Sequence, residues 1–201
     1  GQNGPKSFWQ HNGKVLANTR QANIHAGFRG VHVISLQIHL SWLASADQQR
    51  AFLDEHAAIT RDDIALVSPD LPLRANLSVL DNIALIPQFR HNLKYDQAAD
   101  MAWSLLESAG HQACHAKRDP ALTHTERFVA KLLRATIAQP PIILIDRPAM
   151  LLPEVNYPPV LLALLKQLES RLNTCWIIDY QWNRVLYDAD THFPEISPML
   201  P

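Results

Sequence analysis

Short runs of apolar residues alternate with segments of helical period along most of this chain. Val31-His-Val-Ile-Ser-Leu36 is β-branched and apolar and predicts a strand, and Ile64-Ala-Leu-Val67 predicts a second, ended by Ser68-Pro69. Ile142-Ile-Leu-Ile-Asp146 is a continuous apolar run, the form expected of a strand covered on both faces, and Cys175-Trp-Ile-Ile178 is another. Val185-Leu-Tyr187 predicts a short last strand, and Phe193–Pro201 reads as a tail.

Helical patterns fill the intervals. Asp47–Ala58 places Phe52, Leu53 and Ala57 on one side, and Ser78–Leu85 predicts a short helix stopped by Pro87 after the irregular stretch Leu71–Asn76. Asp96–Ala109 has Asp96 to cap its start and Gly110 just beyond its end, with Ala98, Met101, Trp103, Leu105, Leu106 and Ala109 as its apolar face. Thr123-His-Thr-Glu126 has the form of a capping box and opens a helix of about 125–138 whose Phe128, Val129, Leu132, Leu133 and Ile137 recur at helical spacing. Leu151–Pro159 is irregular and proline-rich, and Val160–Leu172 is helical again. Buried strands separated by helices predict an α/β fold: a mainly parallel sheet flanked by helices, with a helical insertion at about 78–138. The pattern holds no internal repeat or low-complexity tract.

Composition narrows the classes. The 201 residues carry 18 Lys plus Arg against 19 Asp plus Glu, so neither a dedicated nucleic-acid binder nor a polybasic membrane-surface segment is expected. One domain of this length buries a substantial core. No apolar run approaches the ~18 residues of a membrane-spanning helix, and the first residues lack the apolar core of a secretory signal, so a cytoplasmic address is expected. The two cysteines, Cys114 and Cys175, form neither a disulfide framework nor paired metal knuckles. No glycine follows Gly110, which confines any cradle of glycine amides to the first half of the chain.

Several segments, in order, resemble the nucleotide-binding subunit of ABC transporters. Asn76-Leu-Ser-Val-Leu-Asp-Asn-Ile-Ala84 is similar to the family's N-L-T-V-x-E-N-V segment. Leu122-Thr-His-Thr-Glu126 lies where the family has its L-S-G-G-Q/E signature, and Ile142-Ile-Leu-Ile-Asp-Arg-Pro148 resembles the Walker B strand L-L-L-L-D-E-P. Asn23–Ser35 is similar to the strands before the phosphate loop. The resemblance spans about 23–187 and implies one ABC ATPase-like domain over 1–201, on a P-loop NTPase-like scaffold, with its helical subdomain at about 78–138.

Scaffold positions match, and chemical positions do not. A phosphate loop needs glycines whose amides wrap the phosphates, a lysine against the β/γ charge and a hydroxyl for Mg²⁺. After the strand expected at 31–36, Gln37–Ala46 offers neither Gly nor Lys. Gly1-Gln-Asn-Gly-Pro-Lys-Ser7 resembles the loop motif with one glycine missing, but no strand precedes it and its proline removes an amide donor.

By the same resemblance, Ser68 stands at the Q-loop glutamine, His124 and Thr125 at the signature's paired glycines beside Thr123, and Asp179 at the switch histidine. Asp146 keeps the aspartate that supports Mg²⁺ in the family. Arg147 replaces the carboxylate that polarises water, and a guanidinium cannot serve as a general base. Ser68, Thr123, Asp146, Arg147 and Asp179 are therefore the vestige of a nucleotide site, with no catalytic residue, no resident cofactor and no metal expected. The implied function is a non-catalytic, pseudo-ATPase partner of a transporter. It would sit on the inner membrane face with a permease, and with an active ATPase subunit or a second copy of itself. Its docking surface is expected within Ser68–Phe89, at Leu71, Leu73, Leu77 and Phe89.

Two other readings compete. A divergent ATP-hydrolysing subunit would bind Mg-ATP at Asp146, and a small-molecule sensor would use Arg147 as an anion contact. Other tempting groups read as structural. His111-Gln-Ala-Cys-His115 lacks a fourth metal ligand, and Cys114 has no oxyanion-hole signature beside it. His25, His32 and His39 do not share one strand face. Trp42, Trp103, Trp176 and Trp182 are scattered as packing anchors.

Overall fold

The computed structural model describes residues 36–59 and 63–188, without the side chains of 57–59 and 188. The expected strand at 31–36, the segment 23–35, the motif at 1–7, His25, His32 and the tail at 193–201 lie outside these residues, save for Leu36. The described residues fall in one compact unit.

Among the described residues, four strands make one parallel sheet: β1 (Gln37–Leu43), β2 (Ile64–Val67), β3 (Ile142–Asp146) and β4 (Thr174–Tyr180), in the order β1-β4-β3-β2. β2 and β3 fall where the sequence predicts them. β1 does not: Gln37–Leu43, expected as the loop after a strand, is itself a strand, with Ile38, Leu40 and Leu43 buried. Parallel strands require long crossovers, and helices supply them. Helix α1 (Ala46–Ile59) joins β1 to β2. Between β2 and β3 lie α2 (Val79–His91), α3 (Tyr95–Ser108) and α4 (His124–Thr136). The short α5 (Pro148–Leu151) and α6 (Tyr157–Gln167) lead to β4, and α7 (Arg184–Asp188) ends the described chain.

Alternation along each strand sorts side chains onto two faces. One face carries Ile38, Leu40, Val67, Ile143, Ile145, Cys175 and Ile177 into the main core, shared with Phe128, Leu132 and Leu133 of α4 and Leu161 and Leu165 of α6. The other carries Leu43, Leu144 and Ile178 against Phe52 and Leu53 of α1. On α1, Gln49, Phe52, Leu53 and His56 share the inward stripe, and the His56 ring stacks on Phe52 at 3.9 Å and meets Trp176 edge-on at 5.4 Å.

Several elements depart from the pattern reading. α2 continues through Pro87 to His91, and Gln88 Nε2 bonds the Ala84 carbonyl at 3.1 Å. Asn92 closes the helix in the left-handed conformation, its N–H on the Pro87 carbonyl. In α3 the buried face is Ala98, Ala102, Leu105 and Leu106, while Met101 and Trp103 are exposed. Asp96 sits in the first turn and does not cap it. The Lys94 N–H is met by Gln97 Oε1 at 3.4 Å. α6 begins at Tyr157, with Pro158 and Pro159 in a first turn whose amides need no helical partner. Val185–Tyr187, expected as a strand, lies in α7, where Tyr187 is buried and Val185 and Leu186 are exposed.

Candidate functional site

The sheet's topology brings the carboxyl ends of β1, β2 and β3 to one edge, and the last residue of β3 is Asp146. Its side chain points to the face covered by α1, the same face as Leu144. Asp146 is 0% exposed, so an ionised carboxylate there must be met by donors. Gln49 Nε2 of α1 bonds both oxygens at 3.1 Å. Ser68 Oγ, just beyond β2, donates to Oδ2 at 2.7 Å. Arg147 Nε lies 3.0 Å from Oδ1 and 3.2 Å from Oδ2, and Arg147 Nη2 lies 3.0 Å from Oδ2.

Arg147 reaches its own neighbour through an unusual backbone. Its φ of 48° is left-handed, a conformation disfavoured by about 1–2 kcal/mol for a residue with a Cβ. The turn is held by the Arg147 N–H on the Ile178 carbonyl at 2.9 Å, and Nη2 also pairs with the carboxylate of Asp70. Burial opposes the charge on Arg147, but the hydrogen bonds and charges of Asp146 and Asp70 outweigh it and raise its pKa above the ordinary arginine value. The guanidinium is therefore committed to two carboxylates and is not presented to an external anion.

Lys131 of α4 is the second buried cation, 5% exposed, and its Nζ donates to the Ser68 carbonyl at 2.9 Å. Burial lowers its pKa. Asp146, Asp70, Arg147 and Lys131 together are balanced in charge. A carboxylate whose oxygens already accept from three side chains has little capacity left for a Mg²⁺ ion, which demands near-octahedral oxygen ligation. The position after Asp146 is a guanidinium, which offers only donors and cannot act as a general base.

The connection from β1 to α1 is the pair Ala44-Ser45, with Ala44 N on Gln48 Oε1 at 2.7 Å and Gln48 N on Ser45 Oγ at 3.2 Å. The loop expected beyond Leu36 is thus strand β1, and the connection that follows it is this two-residue junction. It holds no glycine or lysine, and the helix behind it sends Gln49 to Asp146.

Of the residues expected to share a vestigial nucleotide site, Ser68, Asp146 and Arg147 come together. Thr123 and Asp179 do not. Thr123 caps α4: its Oγ1 accepts from the Glu126 N–H at 3.1 Å while Glu126 Oε2 accepts from the Thr123 N–H at 3.0 Å. Asp179 lies within β4, where Ile178 is the residue paired with Asp146, so Asp179 points to the opposite face of the sheet. There it is fully buried and accepts from Tyr157 Oη at 2.5 Å, Tyr187 Oη at 3.2 Å, Asn183 Nδ2 at 2.9 Å and the Tyr180 N–H at 2.8 Å. Beyond Ile178, the next residue of β4 on the Asp146 face is Tyr180, whose ring stacks on Trp182 at 4.3 Å.

The expected docking residues also divide. Phe89 is 78% exposed and Leu71 44%, whereas Leu77 is half-buried and Leu73, at 6%, belongs to the main core. Leu73 is therefore not a contact surface. Cys114 is buried with its Sγ on the His111 carbonyl at 3.1 Å, its pKa raised chiefly by burial, and His115 meets Trp103 edge-on at 5.1 Å.

Sequence reasoning missed Gln49, Asp70 and Lys131. Gln49 carried a signal, since it falls on the Phe52 and Leu53 stripe, and Lys131 falls between Phe128 and Leu132 on the apolar face of α4. Asp70 carried none, because only the fold brings it to Arg147.

No family model matches the chain. Solved structures do resemble it. CbiO1 from Clostridium perfringens, part of the ABC transporter complex CbiONQ, is 14% identical with a TM-score of 0.58, over 72% of this chain and 67% of that one. The ATP-binding cassette MJ0796, in a dimeric post-hydrolysis state bound to ADP and Pi, is 20% identical with a TM-score of 0.55, over 78% of each chain. The fold is that of the ATP-binding cassette, a parallel sheet flanked by helices on the P-loop NTPase plan. No helix among the described residues is long and apolar enough to cross a membrane.

Proposed function

We propose that this chain is a non-catalytic cassette domain, a structural or regulatory partner within a membrane transporter. One observation carries the reading: both oxygens of the buried Asp146 carboxylate are occupied by Gln49, Ser68 and Arg147. The position that would support a metal is filled by an internal cation, and the position that would activate water holds that cation's own residue. Mg-ATP at this edge would require Gln49, Ser68 and Arg147 all to leave Asp146 and a two-residue junction to supply a phosphate cradle. Phosphoryl transfer depends on positioning and charge neutralisation, and the charged groups described at this edge are engaged with one another.

The fold likeness to CbiO1, part of a transporter complex, and to a cassette that forms dimers supports partners of two kinds: a permease, and an active ATPase subunit or a second copy of this chain. Such a protein would work at the cytoplasmic face of a membrane. The docking surface in this reading is Phe89 and Leu71, with Leu77 at its margin.

Phosphate release from ATP by the purified chain tests the reading. No Mg²⁺-dependent turnover above buffer is expected, and turnover that disappears in Asp146→Asn would contradict it.

A further inference from the structure

The only covalent lead from β2 into the helical insertion is the segment 68–78, and its first five residues are gripped from two sides. On one side α4 supplies cations one turn apart. Lys131 Nζ donates to the Ser68 carbonyl at 2.9 Å, and Arg134 donates to the carbonyls of Pro72 at 2.9 Å and Leu71 at 3.2 Å. On the other side Arg147, at the end of β3, holds the Asp70 carboxylate. Ser68 closes the gap by donating to Asp146 at 2.7 Å. The remainder of the lead is sewn to α2: the Asn82 side chain accepts from the Arg74 N–H at 2.8 Å and donates towards the carbonyls of Arg74 at 3.1 Å and Ser78 at 3.0 Å.

These ties are charge-assisted and specific. Backbone carbonyls met by ammonium and guanidinium groups make stronger bonds than neutral pairs. Lys131 is buried against its desolvation, and its donation to the Ser68 carbonyl offsets that cost. The local turn depends on them as well, since the amides of Asp70 and Leu71 donate to Ser68 Oγ at 3.1 Å and to the Ser68 carbonyl at 3.2 Å, the two atoms that Asp146 and Lys131 hold. α4 in turn packs on both β2 and α2, so a lead fixed to α4 leaves the insertion one posture relative to the sheet.

We propose that Lys131, Arg134 and Arg147 form a clasp that fixes segment 68–72 in a single setting, so that the posture of the helical insertion does not follow what occupies the Asp146 edge of the sheet. The clasp goes beyond the non-catalytic reading and does not require nucleotide to be excluded. Its consequence is a constitutive device: any surface on α2 and α3 is presented permanently, with no ligand needed to set it. Lys131, Arg134 and Arg147 are positioning residues, acting through the backbone of 68–72.

Hydrogen exchange of the intact chain tests it, read at the Asp70 and Leu71 amides and through α2, with and without Mg-ATP. Lys131→Met and Arg134→Gln remove the ties on the α4 side, and Asp70→Asn weakens the tie on the other side without stripping Asp146 of its cation. Each variant is expected to speed exchange at these two amides by about tenfold, while β3 and α4 keep their protection. In the unaltered chain Mg-ATP is expected to change neither the two amides nor α2. Unchanged exchange at both amides in all three variants would overturn the clasp, and so would a response of α2 to Mg-ATP in the unaltered chain. A calorimetric titration of the same sample separates the two claims. Mg-ATP binding with no response in α2 supports the clasp while contradicting the non-catalytic reading, and rapid exchange at both amides in a chain that binds nothing overturns the clasp alone.

Discussion

Arg147 Nε rests 3.0 Å from one carboxylate oxygen of Asp146 and 3.2 Å from the other, although the two residues are sequence neighbours at the end of a strand. Side chains of adjacent strand residues ordinarily point apart. The left-handed turn at Arg147 folds the guanidinium back and makes the pair an internal ion pair.

Breaking that pair from the cationic side leaves a buried charge. Arg147→Ala is expected to destabilise the fold by about 3–5 kcal/mol, read as a lower urea midpoint. Arg147→Ala with Asp146→Asn should recover part of the loss, because the uncompensated charge is then gone.

Leu73 and Phe89 separate core from surface within one sequence segment. Leu73→Ala is expected to cost about 2–5 kcal/mol, and Phe89→Ala to stay within about 0.5 kcal/mol of the parent, both by chemical denaturation. Equal losses at the two sites would contradict the assignment of Phe89 to an accessible surface.

Thr123 gives a sharper distinction between a helix cap and a phosphate contact. Thr123→Ala is expected to lower stability by about 1 kcal/mol, with Thr123→Asn close to the parent because asparagine also caps.

Asp81 supplies a pH dependence. The Ser78 hydroxyl, 2.6 Å from one carboxylate oxygen, holds its pKa below the ordinary aspartate value, and Tyr95 Oη, 2.8 Å from the other, adds to this across α2 and α3. A depressed carboxyl contributes stability above its unfolded pKa and loses it as pH falls through the folded one. The tie between α2 and α3 should therefore weaken below about pH 4. Ser78→Ala should move the Asp81 titration, followed by NMR, to higher pH.

How much of this was legible in the sequence depends on whether a feature is local. The strands Ile64–Val67 and Ile142–Asp146 and the Thr123–Glu126 capping box are set by neighbouring residues, and they stand where the pattern puts them. In Gln37–Leu43 the polar His39 and Ser41 break the apolar run and hide the strand, although their alternation with Ile38 and Leu40 is itself a strand signature. Pro87 was taken as a stop, yet tertiary packing of Ile83, Ala84 and Pro87 carries α2 past it. The family resemblance puts Asp179, at the switch-histidine position, together with Asp146. Only the pairing of Asp146 with Ile178 reveals that the two carboxylates face opposite sides of the sheet. Gln49 meets Asp146, Lys131 meets Ser68 and Asp70 meets Arg147 across 97, 63 and 77 positions, and no spacing in the sequence records that convergence.

The most direct measurement is an isothermal titration of the purified chain with Mg-ATP. A closed Asp146 predicts no saturable heat up to millimolar nucleotide, in the parent and in Asp146→Asn alike. A micromolar Kd that is lost in Asp146→Asn would contradict the account.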